Sequence, residues 1–347
     1  MTHVPPESSP DSLAAALSQL AVFGQLSPST LQGLQSELQR TRVRGGEILF
    51  EQGDPGDAMY VVIYGRLRVS LIDEAGQPRL LRELGRGEPV GEMAILTGEP
   101  RSATVRAIRD TELVRLSKAG FERLIAANPQ AMLEIARVII HRLQHPTGPS
   151  THQRMTALAL LPARAGLPVA QLAERLTDAL SAAGHNVRRL DAQAVDQYLD
   201  ETAAANDTGY IERELPRWLH EQESQHDLLI YVAEPEASAW TGLCLRQADT
   251  LLIVGAGSGA CDVSSGLAEL LAQRKGPAAC RTELVLLYDR AGASPTGVAD
   301  WLAALDVVAH HHVRLDQPDD IAHLGRMLTG QAIGLVLGGG GARGFAH

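Results

Sequence analysis

At 347 residues the chain is too long for one typical hydrophobic core, so two or three domains are expected. Its composition, 45% hydrophobic and 21% charged, is that of an ordinary soluble globular protein. With a formal net charge of -10, the chain lacks the basic character typical of proteins that bind a nucleic-acid backbone, so nucleic acid is not an expected partner.

The cysteines and the hydropathy pattern indicate a reducing compartment. Cys244, Cys261 and Cys280 lie far apart, which fits neither a disulfide framework nor a zinc site. Residues 1–11 are rich in Pro and Ser and predict a disordered lead-in rather than a secretory signal. No apolar stretch is long enough to cross a bilayer. We therefore expect a cytoplasmic chain, and peripheral contact with the inner face of the membrane stays open as an alternative.

The first half of the chain changes its periodicity twice. Residues 12–40 carry leucines at helical spacing and predict helices. From 41 to 117, short apolar runs separated by Gly, Pro and Asp predict the strands of a β jelly roll. A helical period returns over 119–144. We therefore expect one domain, over 12–145, with a jelly roll between flanking helices.

The second half begins after a Pro/Gly/Ser-rich stretch at 146–153, which predicts a linker. Over 154–330, continuous apolar runs alternate with helical patterns, which predicts an α/β domain with a mostly parallel sheet covered on both faces. Helices are expected over 168–183, 191–199, 211–224, 239–248 and 262–274, and the last strand of this pattern is expected at HHVRL, residues 311–315. Residues 331–347 start a further strand and end in a glycine-rich loop.

The run GEMAILTGEPRSAT at 91–104 is the sharpest functional signal. A short helix from about Glu92 would expose backbone N–H groups at its start, where an anion can bind. Arg101 supplies a planar cation that can fork onto phosphate oxygens, and the Glu92 carboxylate can accept hydrogen bonds from ribose hydroxyls. The candidate ligand-binding residues are Gly91, Glu92, Met93, Ala94, Arg101, Ser102, Ala103 and Thr104.

Residues 20–145 resemble the cyclic-nucleotide-binding domain shared by bacterial catabolite activators and the regulatory subunits of cAMP-dependent protein kinase. That family's cassette, G-E-x-A-L followed by P-R-x-A-T, is matched at Gly91, Glu92, Ala94, Pro100, Arg101, Ala103 and Thr104. The resemblance implies that Glu92 holds the ribose hydroxyl and Arg101 the cyclic phosphate. Ser102 is nearer to the small residue that accompanies cAMP than to the Thr that accompanies cGMP, so cAMP is favoured. The alternative is a domain that kept this fold and lost its ligand.

The glycine-rich run at 338–344 follows an apolar strand and forms a potential nest of backbone N–H groups. Its spacing satisfies G-x-G-x-x-G, but a dinucleotide site also needs an acidic residue about 20 positions further on, which the sequence does not contain. The whole string VLGGGGARGFAH resembles the opening of patatin-like phospholipases. That resemblance implies an oxyanion-hole motif formed by Gly339, Gly340, Gly341 and Arg343. The G-x-S-x-G nucleophile segment of those enzymes is absent from these 347 residues.

The middle domain and the histidine run give no catalytic signal. The loop PARAGLPVAQLAE takes the P-loop position of MinD-like ATPases, but it has one glycine, Gly166, and no lysine, so a degenerate, non-hydrolysing relative is expected. The run at 310–312 is interpreted as a solvated turn rather than a metal site, and no metal is expected.

The order of these segments resembles bacterial relatives of neuropathy target esterase. It implies a cyclic-nucleotide-binding regulatory region of a patatin-like serine esterase or lysophospholipase that acts on lipid esters, with the catalytic Ser and Asp absent from this chain. One alternative is a stand-alone cyclic-nucleotide sensor that acts through a protein partner. A catabolite-activator-type transcription regulator is disfavoured, because a sheet domain in an acidic chain stands where a helix-turn-helix would be needed.

Overall fold

The computed structural model describes residues 37–73, 78–127, 129, 133, 157–201, 208–273, 281–288 and 296–332. The expected lead-in and most of the helical region 12–40 lie outside these ranges, as do the linker 146–153 and the glycine-rich run 338–344. None of the helices in the described ranges is long and apolar enough to span a bilayer.

Two antiparallel sheets form the first domain. Their strand orders are β1-β8-β3-β6 and β2-β7-β4-β5. The strands are β1 (Leu38–Val43), β2 (Ile48–Phe50), β3 (Ala58–Tyr64), β4 (Leu67–Ile72), β5 (Pro78–Leu84), β6 (Pro89–Val90), β7 (Thr104–Ala107) and β8 (Thr111–Ser117). Helix α1 (Glu92–Thr97) lies between β6 and β7, and α2 (Lys118–Ala127) follows β8. Fully buried side chains such as Leu67, Leu84 and Leu113 fill the core of this domain, and the predicted jelly roll is confirmed.

The start of this domain corrects one detail of the prediction. Leu38 to Arg40 were included in the helical region, but they belong to β1, whose residues pair in register with β8 from Leu38 opposite Leu116 onward. Strand pairing therefore overrides the helical leucine spacing at this point, because the partner strand satisfies the backbone hydrogen bonds.

A six-stranded parallel sheet forms the second domain, in the order β10-β11-β9-β12-β13-β14. The strands are β9 (Ala157–Pro162), β10 (Val187–Leu190), β11 (Leu228–Val232), β12 (Thr250–Ala256), β13 (Arg281–Tyr288) and β14 (Ala309–Arg314). The helices are α3 (Val169–Ala182), α4 (Ala192–Glu201), α5 (Thr208–Gln225), α6 (Ala239–Gln247), α7 (Ser265–Gln273), α8 (Val298–Ala304) and α9 (Pro318–Leu328). This confirms the predicted parallel α/β domain. The sequence patterns did not identify α8 and α9.

The apolar residues of this sheet are buried on both faces, as continuous hydrophobic strands require. On one face, Leu172 and Leu176 of α3 pack with Ile321 and Leu324 of α9. On the other face lies a second cluster, which includes Trp240 of α6 and Trp301 of α8.

The histidine run lies on β14 at the edge of this sheet, so the strand expected at HHVRL is present and the interpretation of the run as a solvated turn was wrong. The side chain of His311 is 8% exposed, and its Nε2 lies 2.6 Å from Oε2 of Glu283. His312 Nδ1 lies 2.7 Å from the Tyr288 hydroxyl. Pairing with β13 makes this run a strand rather than a turn. Successive side chains of a strand point to opposite faces, so neighbouring histidines have different surroundings. No group of three His, Cys, Asp or Glu side chains within the described residues could hold a metal ion.

Candidate functional site

A glycine positions the start of α1 against an arginine. Gly91 precedes the helix with left-handed backbone angles, φ 80° and ψ 6°. A Cβ atom at this position would lie 2.4 Å from Nη1 of Arg101, so a side chain has no room there. The Arg101 Nη1 instead donates a hydrogen bond of 3.0 Å to the Gly91 carbonyl oxygen. The structure thus brings Gly91 and Arg101 into direct contact across the cassette.

The Arg101 guanidinium is held on several sides. Its side chain is only 2% exposed, and Nη2 lies 3.3 Å from Oδ1 of Asp57. Its central carbon lies 4.2 Å from the centre of the Phe50 ring and 6.0 Å from that of Tyr60, within the range of cation–π attraction. Burial lowers the pKa of Arg101 from the ordinary arginine value, because desolvation disfavours the cation.

One donor of this guanidinium has no partner in the described part of the chain. Nε of Arg101 is buried and makes no hydrogen bond to any of those residues. A buried donor that is left unpaired costs about 1–3 kcal/mol, so such groups are rare in folded proteins. The arrangement therefore provides a fixed positive charge with an unsatisfied N–H group, which suits an anionic oxygen.

The other cassette residues divide between the core and the surface. Glu92, in the first turn of α1, is 5% exposed, and Ala94 packs so closely on Gly56 that a Cβ at Gly56 would lie 2.3 Å from it. Ala103 is buried, whereas Met93 and Ser102 are exposed. The Thr104 hydroxyl accepts a hydrogen bond of 3.0 Å from the backbone N–H of Gln52, so it connects the start of β7 to the turn after β2.

Sequence reasoning did not connect three side chains with Arg101, although two of them, Asp57 and Tyr60, stand in a segment that resembles the hairpins of the cyclic-nucleotide-binding family. Phe50, Tyr60 and Asp57 lie on or next to β2 and β3, more than 40 positions before Arg101 in the sequence. The Asp57 carboxylate also accepts a hydrogen bond of 2.8 Å from Nη2 of Arg115. No local spacing signals these contacts, because the antiparallel sheets bring these strands together only in the folded domain.

The loop after β9 holds the P-loop position. Gly166 has a left-handed φ of 81°, and α3 begins at Val169 without a side-chain cap. Arg164 Nε lies 3.5 Å from Oδ2 of Asp262, which belongs to the loop between β12 and α7. The non-hydrolysing character of this loop stays a prediction. So does the oxyanion-hole motif, which lies outside the described residues.

Two family models match the chain. Residues 154–331, more than half of its length, match the Neuropathy Target Esterase family P-loop like domain. Residues 40–128 match the cyclic nucleotide-binding domain. The two matches fall on the parallel-sheet domain and on the jelly roll respectively.

Curated relatives match nearly the whole chain. It is 32% identical over 383 residues to Lysophospholipase NTE1 of Cryptococcus neoformans, covering 93% of this chain and 23% of that protein. It is 31% identical over 380 residues to human Patatin-like phospholipase domain-containing protein 6, covering 94% of this chain and 26% of that protein. The chain thus spans about a quarter of the length of these relatives.

Solved structures resemble the first domain. The regulatory domain of Toxoplasma gondii PKA with cAMP shares 28% identity at a TM-score of 0.31, covering 33% of this chain and 44% of that one. The Thermus thermophilus catabolite activator protein shares 30% identity at a TM-score of 0.34, covering 46% of this chain and 68% of that one. The family matches carry the assignment: a cyclic nucleotide-binding domain precedes a P-loop-like domain, and the chain belongs to the neuropathy target esterase family.

Proposed function

We propose that the chain binds a cyclic nucleotide through residues 91–104, with Arg101 on the cyclic phosphate and Glu92 on the ribose hydroxyl. The observation that carries this proposal is the buried Arg101 guanidinium, whose Nε has no partner among the residues that the structure describes. A phosphate oxygen at this position would accept from that donor and recover the cost of leaving it unpaired. The match of residues 40–128 to the cyclic nucleotide-binding domain supports the same ligand class.

The preferred nucleotide is cAMP rather than cGMP. Ser102, which follows the phosphate-binding arginine, has a small side chain of the kind that accompanies cAMP in similar cassettes. It is exposed, so its hydroxyl is available to a ligand. Gly91, Met93, Ala94, Ser102, Ala103 and Thr104 line or support the same site in this proposal.

The chain acts as the regulatory region of a patatin-like serine esterase or lysophospholipase that hydrolyses lipid esters. The names of its relatives, a lysophospholipase and a patatin-like phospholipase domain-containing protein, support this substrate class. In this proposal Gly339, Gly340, Gly341 and Arg343 contribute the oxyanion hole, and the nucleophile belongs to a segment outside these 347 residues. The parallel-sheet domain serves as a non-hydrolysing connector.

Calorimetric titration of the purified chain with cAMP and with cGMP tests the binding. We expect Arg101→Gln to weaken cAMP binding about 10- to 150-fold, the equivalent of about 1.5–3 kcal/mol for a charged hydrogen bond. Arg68→Gln is the matched control, because Arg68 lies in the same domain and pairs with Glu83 at 2.9 Å. Equal affinities of the two variants would remove Arg101 from the phosphate site, and no heat with millimolar nucleotide would end the proposal.

The regulatory role is tested on a protein that carries these 347 residues together with a patatin-like catalytic domain. Its hydrolysis of a lysophospholipid should change on adding cAMP, and the change should disappear in Arg101→Gln while the rate without cAMP remains. An unchanged response in that variant, or no response in the unmodified protein, would contradict regulation through this site and favour a sensor that acts on a partner protein.

A further inference from the structure

The turn that joins β7 to β8, residues 108–110, contacts the parallel-sheet domain through the buried side chain of Arg109. The Arg109 side chain is 3% exposed, and Nη1 lies 2.5 Å from Oε2 of Glu223 on α5. Its Nη2 also pairs with Oδ1 of Asp249, the residue before β12. Burial alone would lower the pKa of Arg109, but Glu223 and Asp249 raise it above the ordinary arginine value. A cation from one domain is thus enclosed by carboxylates from the other.

A second set of contacts extends this interface. Nε of Arg246, at the end of α6, lies 3.1 Å from Oδ1 of Asp110. The same carboxylate oxygen accepts a hydrogen bond of 2.8 Å from the Gly45 amide. Gly45 is so close that a Cβ there would lie 2.9 Å from the Arg246 carbonyl oxygen. The two backbones therefore pack directly against each other around Asp110.

The turn is rigidly attached within the first domain. The Thr111 hydroxyl, in a residue that is 2% exposed, donates a hydrogen bond of 2.7 Å to the Arg109 carbonyl oxygen. The Ile108 amide donates one of 2.9 Å to the Arg66 carbonyl oxygen. On the other side, β7 begins at Thr104, only three positions after Arg101. A single short strand thus joins the proposed phosphate site to the interdomain turn.

The interface is charged, and some of its polar atoms have no partner among the described residues. Three residues at or next to it have such a buried side-chain atom: His220 Nε2, Gln222 Oε1 and Gln247 Nε2. The His220 ring stacks on Tyr64 of the first domain, with the ring centres 6.1 Å apart. A buried ion pair offsets its desolvation cost only when its geometry is good. A displacement of the turn would therefore change the free energy of this interface.

We propose that the turn at 108–110 is the joint that couples nucleotide binding at 91–104 to the parallel-sheet domain. The inference rests on the proposed nucleotide binding. A phosphate on Arg101 displaces β7, and Arg109 and Asp110 transmit that displacement to the ends of α5 and α6. Nucleotide can stabilise the second domain only through a difference in its affinity for the two arrangements of this joint.

Intrinsic tryptophan fluorescence follows the unfolding of the parallel-sheet domain alone. The chain has three tryptophans, and all of them belong to that domain: Trp218, Trp240 and Trp301. Urea unfolding followed by tryptophan emission therefore reports on the domain that does not bind nucleotide. With the joint intact, cAMP at about 100 times its Kd should lower the unfolding equilibrium constant seen by this probe by up to about 100-fold.

Two variants uncouple the joint without touching the cassette. Arg246→Gln removes the charge facing Asp110, and Gly45→Ala places a methyl group against the Arg246 backbone. The matched control is Gly85→Ala, since the nearest described atom to a Cβ there would be a Glu88 carboxylate oxygen, at 4.0 Å. Both joint variants should bind cAMP within about twofold of the unmodified chain, whereas the shift in the tryptophan transition should fall to less than about a tenth.

The outcomes separate the two proposals. Calorimetric binding without a shift of the tryptophan transition in the unmodified chain would overturn the joint and leave nucleotide binding intact. A full shift in both joint variants would overturn it as well. Absence of binding by calorimetry would remove the proposed function and the coupling together, whereas loss of the shift in Gly85→Ala too would show that the effect is not specific to this interface.

Discussion

Replacing Gly91 by alanine should both destabilise the first domain and weaken nucleotide binding. Two separate costs arise at this position. The left-handed φ of 80° strains any residue with a Cβ, and the new methyl group would lie 2.4 Å from the Arg101 guanidinium. The guanidinium must therefore move away and give up its hydrogen bond to the Gly91 carbonyl oxygen.

A second glycine allows these costs to be separated. Gly98 ends the same helix with a φ of 74°, but a Cβ there would meet no atom of the described residues within 4 Å. Gly98→Ala should cost about 1 kcal/mol, because left-handed strain of about 1–2 kcal/mol is partly offset by the reduced entropy of the unfolded chain. Gly91→Ala adds the loss of a charged hydrogen bond, about 1.5–3 kcal/mol, for a total of roughly 2.5–4 kcal/mol.

Urea unfolding followed by far-UV circular dichroism measures the free energies, and calorimetry measures cAMP affinity for the same preparations. We expect Gly98→Ala to bind normally and Gly91→Ala to bind about 10- to 150-fold more weakly, because its phosphate-binding cation is displaced. If the two variants lose equal stability and bind alike, the contact between Gly91 and the guanidinium has no role and the reasoning is refuted.

Three further predictions follow from single contacts. Burial, assisted by nearby arginine cations, lowers the pKa of His220 from 6.5 to about 4, so the unfolded chain binds a proton that the folded chain does not. Stability should therefore be complete above about pH 6.5 and fall, by up to about 3 kcal/mol, as the pH drops towards 4. Urea unfolding at pH 7.5 and 5 should show a smaller loss in His220→Gln, and an equal loss in both proteins contradicts this assignment. Phe50→Leu removes the aromatic ring that contacts the Arg101 guanidinium and should weaken cAMP binding by about 0.5–2 kcal/mol. Calorimetry measures the affinity, and an unchanged value would show that the ring does not hold the cation. Gly257→Ala would place a methyl group 2.4 Å from the Tyr288 ring and should destabilise the parallel-sheet domain by about 1–3 kcal/mol. Gly242 lies within α6, where the nearest described atom to a Cβ belongs to the flexible Arg246 side chain, at 3.5 Å. Gly242→Ala should therefore stabilise the domain by about 0.5–1 kcal/mol. If urea unfolding gives the two variants changes in free energy of the same sign, these contacts do not explain the result.

Local sequence patterns were sufficient for most of the parallel-sheet domain. Strands such as β9, in which every residue is buried, are continuous apolar runs, and α3 carries its apolar stripe at helical spacing. The two helices that were missed have weaker signals. Helix α8 has only seven residues, and α9 begins at Pro318 after a histidine-rich strand that was interpreted as a turn. Burial of His311 against Glu283 came from pairing between strands, which the sequence does not display.

The sequence by itself determined the type of most elements and which residue types the cassette offers, because these depend on periodicity and on neighbours within a few positions. Only the tertiary structure decided that the Arg101 guanidinium lies over Phe50 with its Nε unpaired among the described residues. Only the tertiary structure placed Arg109 against Asp249, 140 positions away. The physical reason is that such contacts depend on how separate sheets and domains pack, and residues so distant along the chain become neighbours only after each domain has formed its core.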